Sequence, residues 1–345
     1  MGTHRKHWID TTRGLCGIAV VLHHAIALCA VAGYTDVTIS VLDDTVSPFR
    51  MPLLMSLSGA VLAPSLGRPL VAFSVRRLRT IVWPYVLWSV VVLLVTGSLV
   101  PAAVVRIATV APTYLWFLQF LAIYAMIGWI ARRAGVHPLV LAGVALGASA
   151  VLPEAHRADR FAYLLAFFLL GVALRTTVLA QLGPRTRVLC CTAGILATSV
   201  GVVAAAFGAE VRYDAAWSPT AIGLVVALFA LFSGERLLDR PFTGSRVASR
   251  ALRALGRNAV VLYVTHLAVI TLTLDVLAAL DGGQRLAAPV VILLVVMTAG
   301  ATAGGFIVAR RIRAVDALFV MPALRGSVTS PDRSAGRRRA ATRRA

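Results

Sequence analysis

Apolar runs about as long as a bilayer is thick recur along nearly the whole chain, and no other feature limits its possible folds as strongly. A transmembrane helix needs about 20 consecutive apolar residues, because each residue adds about 1.5 Å across a hydrocarbon core about 30 Å thick. Of the 345 residues, 59% are hydrophobic and only 14% are charged, a balance too apolar for a soluble domain of this length. The sequence therefore predicts an integral membrane protein of the all-α class.

The apolar runs predict a bundle of about ten transmembrane helices. The predicted spans are residues 14–32, 49–66, 81–98, 113–131, 138–152, 161–178, 188–208, 215–233, 258–279 and 287–309. Lysine and arginine concentrate in short cytoplasmic loops, so their distribution predicts the orientation of the bundle. If both termini are cytoplasmic, the basic residues left on the outer side are Arg50, Arg106, Arg157, Arg160, Arg212 and Arg285.

These patterns lead us to expect a multi-pass protein of the cell (plasma) membrane, with both termini in the cytoplasm. The use of Arg for nearly every basic residue, beside abundant Ala and Val, is typical of a GC-rich bacterial genome. Three regions are predicted: a cytoplasmic N-terminus at residues 1–12, a transmembrane domain at 13–310, and a basic, disordered cytoplasmic tail at 311–345.

The formal net charge of +20 comes mainly from the predicted cytoplasmic loops and tail. Anionic lipid headgroups are the partner that such a charge suits at a membrane surface. Nucleic acid is the other partner that a strongly basic chain suggests, but no soluble domain is predicted to carry such a site. We therefore expect membrane lipids, and no nucleic acid, among the partners.

Arg13 and His24 lie eleven residues apart in the first predicted span. Eleven residues make about three helical turns, so the two side chains share a face, with His24 roughly 16 Å deeper than Arg13. Arg13 is predicted to hold an anionic group at the cytoplasmic mouth. Because imidazole has an ordinary pKa of about 6.5, it can take and return a proton, which makes His24 the candidate general base. A packing role for His24, hydrogen-bonded to a neighbouring helix, is the alternative that the residues leave open.

A cluster of three arginines, Arg76, Arg77 and Arg79, precedes the third predicted span. Arg76 and Arg79, at positions i and i+3, would share one face of an α-helix. Guanidinium groups bind phosphates well, so this face would suit the phosphates of an acyl-CoA. The alternative is a charge cluster that only obeys the positive-inside rule.

The ninth predicted span carries Tyr263 and, one turn later on the same side, His266. His24 and His266 are expected at similar depth, because the first and ninth spans run in the same direction. Whether their rings face each other is not readable from one sequence. No metal site is predicted, because the histidines lack a carboxylate or thiolate grouped with them at ligand spacing.

Three further expectations concern the surroundings of these residues. His23 is rotated about 100° from His24 on the same helix, so it is predicted to support the site rather than to join it. Acidic residues expected on a solvated outer loop include Asp36, Asp43 and Asp44. Pro52 and the stretch Ser56-Leu57-Ser58-Gly59 of the second span are predicted to permit close helix packing or a local break in the helix.

Several of these segments resemble motifs of the membrane acyltransferase-3 family. The stretch WIDTTRGLCGIAVVLHH is similar to the family's first-span motif, in which ten residues separate an Arg or Lys from a His, and Arg13 and His24 match it. RRLR resembles the family's Arg-x-x-Arg motif, matched by Arg76 and Arg79. MPLLMSLSGAVL, the following Pro-Tyr, YLWFLQFL and LGRNAVVLYVTHLAVI resemble family patterns in their usual order, and the resemblance covers about residues 8–310.

The resemblance implies transfer of an acyl group, usually acetyl, from cytoplasmic acyl-CoA to a hydroxyl of a carbohydrate or related acceptor. Acyl-CoA would be a cosubstrate, and no tightly bound cofactor is expected. The residues expected to carry the reaction are His24 for catalysis, with Arg13, Arg76, Arg79, Tyr263 and His266 for substrate binding. Departures from the family pattern, including the doubled histidine, leave the acceptor open among a glycan, a lipid-linked sugar and a glycosylated metabolite.

A second class of function is a transporter or flippase for a lipid-linked sugar or small metabolite. Polar residues near the membrane midplane also mark substrate pathways, and inverted repeats would favour this class. The sequence carries no evident repeat. A purely binding or sensory membrane protein is a third class, but it would not need Arg13 and His24 on one face.

Overall fold

The computed structural model describes residues 7–95, 97–153, 157–175, 183–209, 217–233, 246–280 and 286–322, and every regular element in these ranges is helical. The α-helices are α1 (His7–Val31), α2 (Val37–Leu62), α3 (Leu70–Arg77), α4 (Trp83–Val95), α5 (Pro101–Arg106), α6 (Trp116–Arg133), α7 (Pro138–Ser149), α8 (Ala158–Ala173), α9 (Pro184–Ala206), α10 (Ser218–Ser233), α11 (Arg246–Arg257), α12 (Ala259–Leu280), α13 (Ala288–Ala309) and α14 (Arg313–Asp316). A π-helical turn, Leu78–Val82, joins α3 to α4, and a 3-10 turn, Thr113–Leu115, precedes α6.

Six helical segments within the described ranges are long and apolar enough to cross a membrane. They are His7–Val31, Val37–Ser65, Leu70–Val95, Pro184–Ala206, Ala259–Leu280 and Ala288–Ala309. The chain is therefore an all-helical membrane protein, as predicted. The other four predicted spans overlap the shorter helices α6, α7, α8 and α10, so the count of ten crossings stays a prediction. The ends of the predicted spans 161–178 and 215–233 lie partly outside the described residues.

Helix α2 begins at Val37, well before the predicted span at 49, and this corrects the expectation of a solvated acidic loop. Asp36 caps the helix by accepting a hydrogen bond from the backbone of Ile39 at 2.9 Å. Asp43 lies inside α2, where its carboxylate pairs with the buried Arg50 at 2.7 Å, while Asp44 is exposed on the same helix. Hydropathy counts each charge separately, so it cannot recognise a helix whose charges neutralise one another.

The first helix also begins earlier than predicted, at His7, and Trp8 to Thr12 are buried. This buried stretch packs on α11, a basic helix that the span prediction left in a loop. The two backbones are in close contact, since a Cβ atom added at Gly256 would lie 1.7 Å from the Asp10 carbonyl oxygen. Residues 1–6 of the predicted N-terminal region lie outside the described residues. The contact with α11 brings Arg257 to the end of the bundle where Arg13 lies.

Helices α2 and α8 pack equally closely, which confirms the close packing predicted for residues 56–59. The Ser56 hydroxyl donates to the Phe167 carbonyl oxygen at 3.0 Å across the interface. A Cβ atom added at Gly59 would lie 2.0 Å from the Phe168 carbonyl oxygen, and one added at Gly171 would lie 1.8 Å from the Ser56 carbonyl oxygen. Small residues at both contacts let the two backbones approach, as in other membrane helix pairs.

Gly171→Ala is expected to lower the free energy of unfolding by about 3 kcal/mol, because the added methyl group would force α2 and α8 apart. Gly143→Ala in α7 is the matched control, since a methyl group there meets no atom within 4 Å. Thermal unfolding of both variants in one detergent, followed by circular dichroism, measures the difference. Equal melting temperatures for the two variants would contradict the close contact.

The first part of the predicted tail at 311–345 is packed against the bundle, which corrects the expectation of a disordered tail at residues 311–322. The ring of Phe319, which is 2% exposed, stacks on Trp88 with 5.9 Å between centroids. The Trp83 indole donates to the Ala317 carbonyl oxygen at 2.7 Å, and the Trp88 indole to the Leu318 carbonyl oxygen at 3.1 Å. The basic composition of this segment does not indicate that its backbone carbonyl oxygens accept hydrogen bonds from the Trp83 and Trp88 indoles. Residues 323–345 lie outside the described part of the chain.

Candidate functional site

A cavity of about 600 Å³ lies at the end of the bundle that carries Arg13, and we call it the arginine cavity. Its walls come from α1, α2 and the 3-10 turn that follows it, α3, the π-helical turn, α6, the residues just after α8, α11 and α12. Its charged lining residues are Arg13, Arg76, Arg77, Arg175, Arg257 and Asp10. Five guanidinium groups against one carboxylate give the cavity a strong positive potential, which suits a ligand with several negative charges.

The arginines differ in how firmly the protein holds them. Arg77 donates to the Ser65 hydroxyl at 2.7 Å, and its guanidinium lies 5.1 Å from the centroid of the Phe73 ring. Arg76 and Arg257 are exposed. The cavity thus combines an arginine fixed by the fold with arginines that are free to turn toward a ligand. Sequence analysis singled out Arg13 and Arg76, but it missed Arg175 and Arg257 and gave Arg77 no place in the site.

Arg79 does not line the arginine cavity, although the sequence predicted that it shares a face with Arg76. Its Nε donates to the Met321 carbonyl oxygen at 2.9 Å, and the Met321 amide donates to the Arg79 carbonyl oxygen at 3.0 Å. The face prediction assumed the 100° rotation per residue of an α-helix. Arg79 lies in the π-helical turn, whose wider turns rotate each residue by less, so the two side chains diverge.

A second, narrower cavity adjoins the arginine cavity, and we call it the inner cavity. The two share Arg13, Leu121 and Val260 as wall residues, so Arg13 stands at the boundary between them. The inner cavity is almost entirely apolar, and Tyr263 and His266 form part of its lining. The inner cavity encloses only about 40 Å³, room for a few water molecules, so a slender apolar arm would enter it only if its walls move apart.

His24 and His266 face each other, which the sequence could not decide. Their ring centroids are 5.1 Å apart, with His24 on α1 and the fully buried His266 on α12. Tyr114 packs edge-on against both rings, at 6.5 Å from His24 and 5.0 Å from His266. His24 does not line the inner cavity itself but touches its wall through His266.

The hydrogen bonds of His266 assign its neutral tautomer. Its Nδ1 lies 2.7 Å from the Tyr263 carbonyl oxygen and 3.2 Å from the Leu262 carbonyl oxygen. A carbonyl oxygen can only accept, so Nδ1 carries the proton and Nε2 keeps a lone pair. Within the described ranges this buried Nε2 has no hydrogen-bond partner. His266 therefore presents a fixed acceptor or base beside His24.

Tyr263 and Tyr114 brace the 3-10 turn against α12. The Tyr114 hydroxyl donates to the Val264 carbonyl oxygen at 2.6 Å, and the Tyr263 hydroxyl donates to the Tyr114 carbonyl oxygen. The ring of Tyr263 lines the inner cavity and its hydroxyl is engaged with backbone, while its role in substrate binding stays a prediction. Sequence analysis missed Tyr114, whose only signal was its place in YLWFLQFL.

Next to His24 on α1, His23 joins a polar trio. Its Nδ1 lies 2.6 Å from Asp43 Oδ2, and Arg50 donates to Asp43 Oδ1 at 2.7 Å. The His23 and His24 ring centroids are 5.2 Å apart. No group of three or more His, Cys, Asp or Glu side chains placed to hold a metal ion occurs among the residues that the structure describes.

Comparison with known protein families matches one family model to most of the chain. The acyltransferase-3 model, described as an acyltransferase domain, matches residues 6–310. This range contains every residue that lines the two cavities and the His23, Asp43 and Arg50 trio. No curated protein and no solved structure matches the chain.

Proposed function

The chain belongs to the acyltransferase-3 family, and from this we propose that it transfers an acyl group, acetyl in the first instance, from acyl-CoA to a hydroxyl of a carbohydrate or related acceptor. The observation that carries the proposal is the junction of the arginine cavity with the inner cavity, at whose wall His266 meets His24. The arginine cavity suits the phosphates of an acyl-CoA, and the apolar lining of the small inner cavity suits its acyl-bearing arm once that cavity opens.

The donor would bind with its phosphates in the arginine cavity. Guanidinium groups pair with phosphate oxygens through charge-assisted hydrogen bonds, and the arginines of four separate segments would surround them. The pantetheine arm would pass Arg13 into the inner cavity and bring the thioester toward His24 and His266. The donor is then a cosubstrate that leaves as CoA, and no tightly bound cofactor is needed.

His24 would act as general base on the acceptor hydroxyl. As the hydroxyl oxygen attacks the thioester carbonyl carbon, its proton moves to a ring nitrogen of His24. The C–O bond forms, the C–S bond breaks, and the CoA sulfur takes the proton back from His24, so that all charges balance. The Nε2 lone pair of His266, beside the His24 ring, would stabilise the imidazolium between these steps.

The membrane arrangement follows from the positive-inside rule. We propose ten crossings with both termini in the cytoplasm, which places the arginine cavity at the cytoplasmic face, where acyl-CoA is available. The protein would reside in the cell (plasma) membrane, with the basic segment at 323–345 on the inner surface. Acceptors would be glycans, lipid-linked sugars or glycosylated metabolites.

Purified protein in lipid nanodiscs with labelled acetyl-CoA tests the reaction. We expect CoA release and formation of a labelled ester that both require an acceptor, supplied as methyl and dodecyl glycosides of glucose, galactose and N-acetylglucosamine. Empty nanodiscs and reactions without a glycoside are the controls. Transport of a glycoside across proteoliposomes without CoA release would contradict the proposal and favour a transporter.

A further inference from the structure

His23, Asp43 and Arg50 form a hydrogen-bonded trio that the proposed reaction does not use. Asp43 and Arg50 lie on α2, the Asp43 carboxylate spans the other two side chains, and His23 lies on α1 next to His24. His23 and Asp43 lie in the halves of α1 and α2 nearer to the ends that meet at residues 31–37, and Arg50 lies at the middle of α2, whereas the arginine cavity lies toward the opposite ends of these helices.

The electrostatics of the trio fix the His23 ring. The Asp43 and Arg50 side chains are 9% and 3% exposed, so two charges that would be costly alone are buried as a neutral pair. An ionised carboxylate only accepts, so the His23 Nδ1 carries a proton, and in the neutral tautomer Nε2 keeps the lone pair. A carboxylate that orients a histidine in this way is the arrangement found where imidazole must present one nitrogen to a ligand.

The His23 side chain is the most exposed member of the trio, at 37%. No residue in the described part of the chain bonds its Nε2. With the His23 and His24 rings 5.2 Å apart, one polyhydroxylated molecule could bond both with neighbouring hydroxyls. The donor is proposed to approach His24 from the arginine cavity, and the trio offers a second substrate polar groups that no wall of that cavity includes.

We propose that His23 binds the acceptor: its Nε2 accepts a hydrogen bond from one hydroxyl of a sugar while a neighbouring hydroxyl meets His24. Asp43 and Arg50 are positioning residues that hold the ring. This inference rests on the proposed acyl transfer and adds to it a residue that selects acceptors with adjacent hydroxyls. Donor and acceptor then approach His24 from opposite ends of the bundle.

His23→Asn is the deciding variant, because the asparagine amide can still donate to Asp43 near the position of Nδ1 but has nothing in place of Nε2. With the methyl and dodecyl glycosides above, we expect the acceptor KM to rise about tenfold, the effect of losing one hydrogen bond, while the acetyl-CoA KM stays within about twofold. Asp43→Asn should raise the acceptor KM in the same direction, because it releases the ring. Asp44→Asn, an identical change at the exposed neighbouring residue, is the matched control and should behave as wild type.

The outcomes separate this inference from the proposed function. An unchanged acceptor KM in a folded His23→Asn protein would overturn the inference and leave acyl transfer standing, and the trio would then only brace α1 against α2. A wild-type protein that releases no CoA with any of these glycosides would overturn the proposed function and the inference with it. Parallel rises in the KM of donor and acceptor would also overturn the inference, because they would indicate a general distortion.

Discussion

His24→Ala is expected to lower the turnover number for acetyl transfer by about 10²- to 10⁴-fold, the range typical of losing a general base. The acetyl-CoA KM should change little, because His24 lines neither cavity and the arginines are untouched. The measurement is single-turnover CoA release in nanodiscs at saturating glycoside, beside equilibrium binding of labelled acetyl-CoA. If His24 is the general base, the His24→Ala protein should still bind acetyl-CoA but release almost no CoA.

The controls for this variant use the chain's other histidines. His137→Ala removes an exposed ring that caps the start of α7 and should retain wild-type turnover. His266→Ala should reduce turnover less than His24→Ala, since His266 is proposed to stabilise the charged ring rather than to take the proton. If a folded His24→Ala protein keeps wild-type turnover, the base is elsewhere. A larger loss in His266→Ala would assign the base to His266, whose Nε2 is buried beside the inner cavity.

The parts of the fold that could be predicted from sequence are those set by local periodicity. Each predicted apolar span overlaps a helix, since hydrophobic length is a property of consecutive residues. The similar depth of His24 and His266 followed from counting residues along two helices, and the structure adds that their rings meet. Counting residues gives only the depth of each histidine along its helix. Which side of α1 faces α12 depends on how the helices pack, and no single segment of sequence determines that packing.

The predictions that failed did so where charged side chains pair inside a helix or where the helix changes its pitch. Asp43 was expected in solvent because a hydropathy window counts Asp43 and Arg50 as two separate charges and cannot show that they pair. Arg79 was expected beside Arg76 because a π-helical turn has no clear sequence signal. Arg257 was missed because α11 is too basic to be predicted as a span, although its glycine contact with α1 places it in the arginine cavity.

Neutralising arginines of the cavity is expected to weaken acetyl-CoA binding strongly. Arg76→Gln and Arg257→Gln should each raise the acetyl-CoA KM roughly 10- to 100-fold, since a hydrogen bond to a charged group is worth about 1.5–3 kcal/mol. Both side chains are exposed, so their replacement should leave the fold intact. The turnover number at saturating donor should fall much less, because neither side chain reaches the histidines. Steady-state kinetics at several salt concentrations measures this, and the wild-type KM should rise with ionic strength.

Each of these variants has a control on its own helical segment. Arg250→Gln on α11 changes an exposed arginine outside the cavity and should leave the acetyl-CoA KM unaltered. Arg79→Gln separates two predictions for this residue. If Arg79 binds the donor, as the Arg-x-x-Arg motif implies, the acetyl-CoA KM should rise. If Arg79 only holds Met321 in place, the melting temperature should fall and the acetyl-CoA KM should stay unchanged. A rise in KM for Arg79→Gln as large as that for Arg76→Gln would show that the π-helical turn rearranges when the donor binds. Equal, small effects from all four replacements would mean that the phosphates bind outside the arginine cavity.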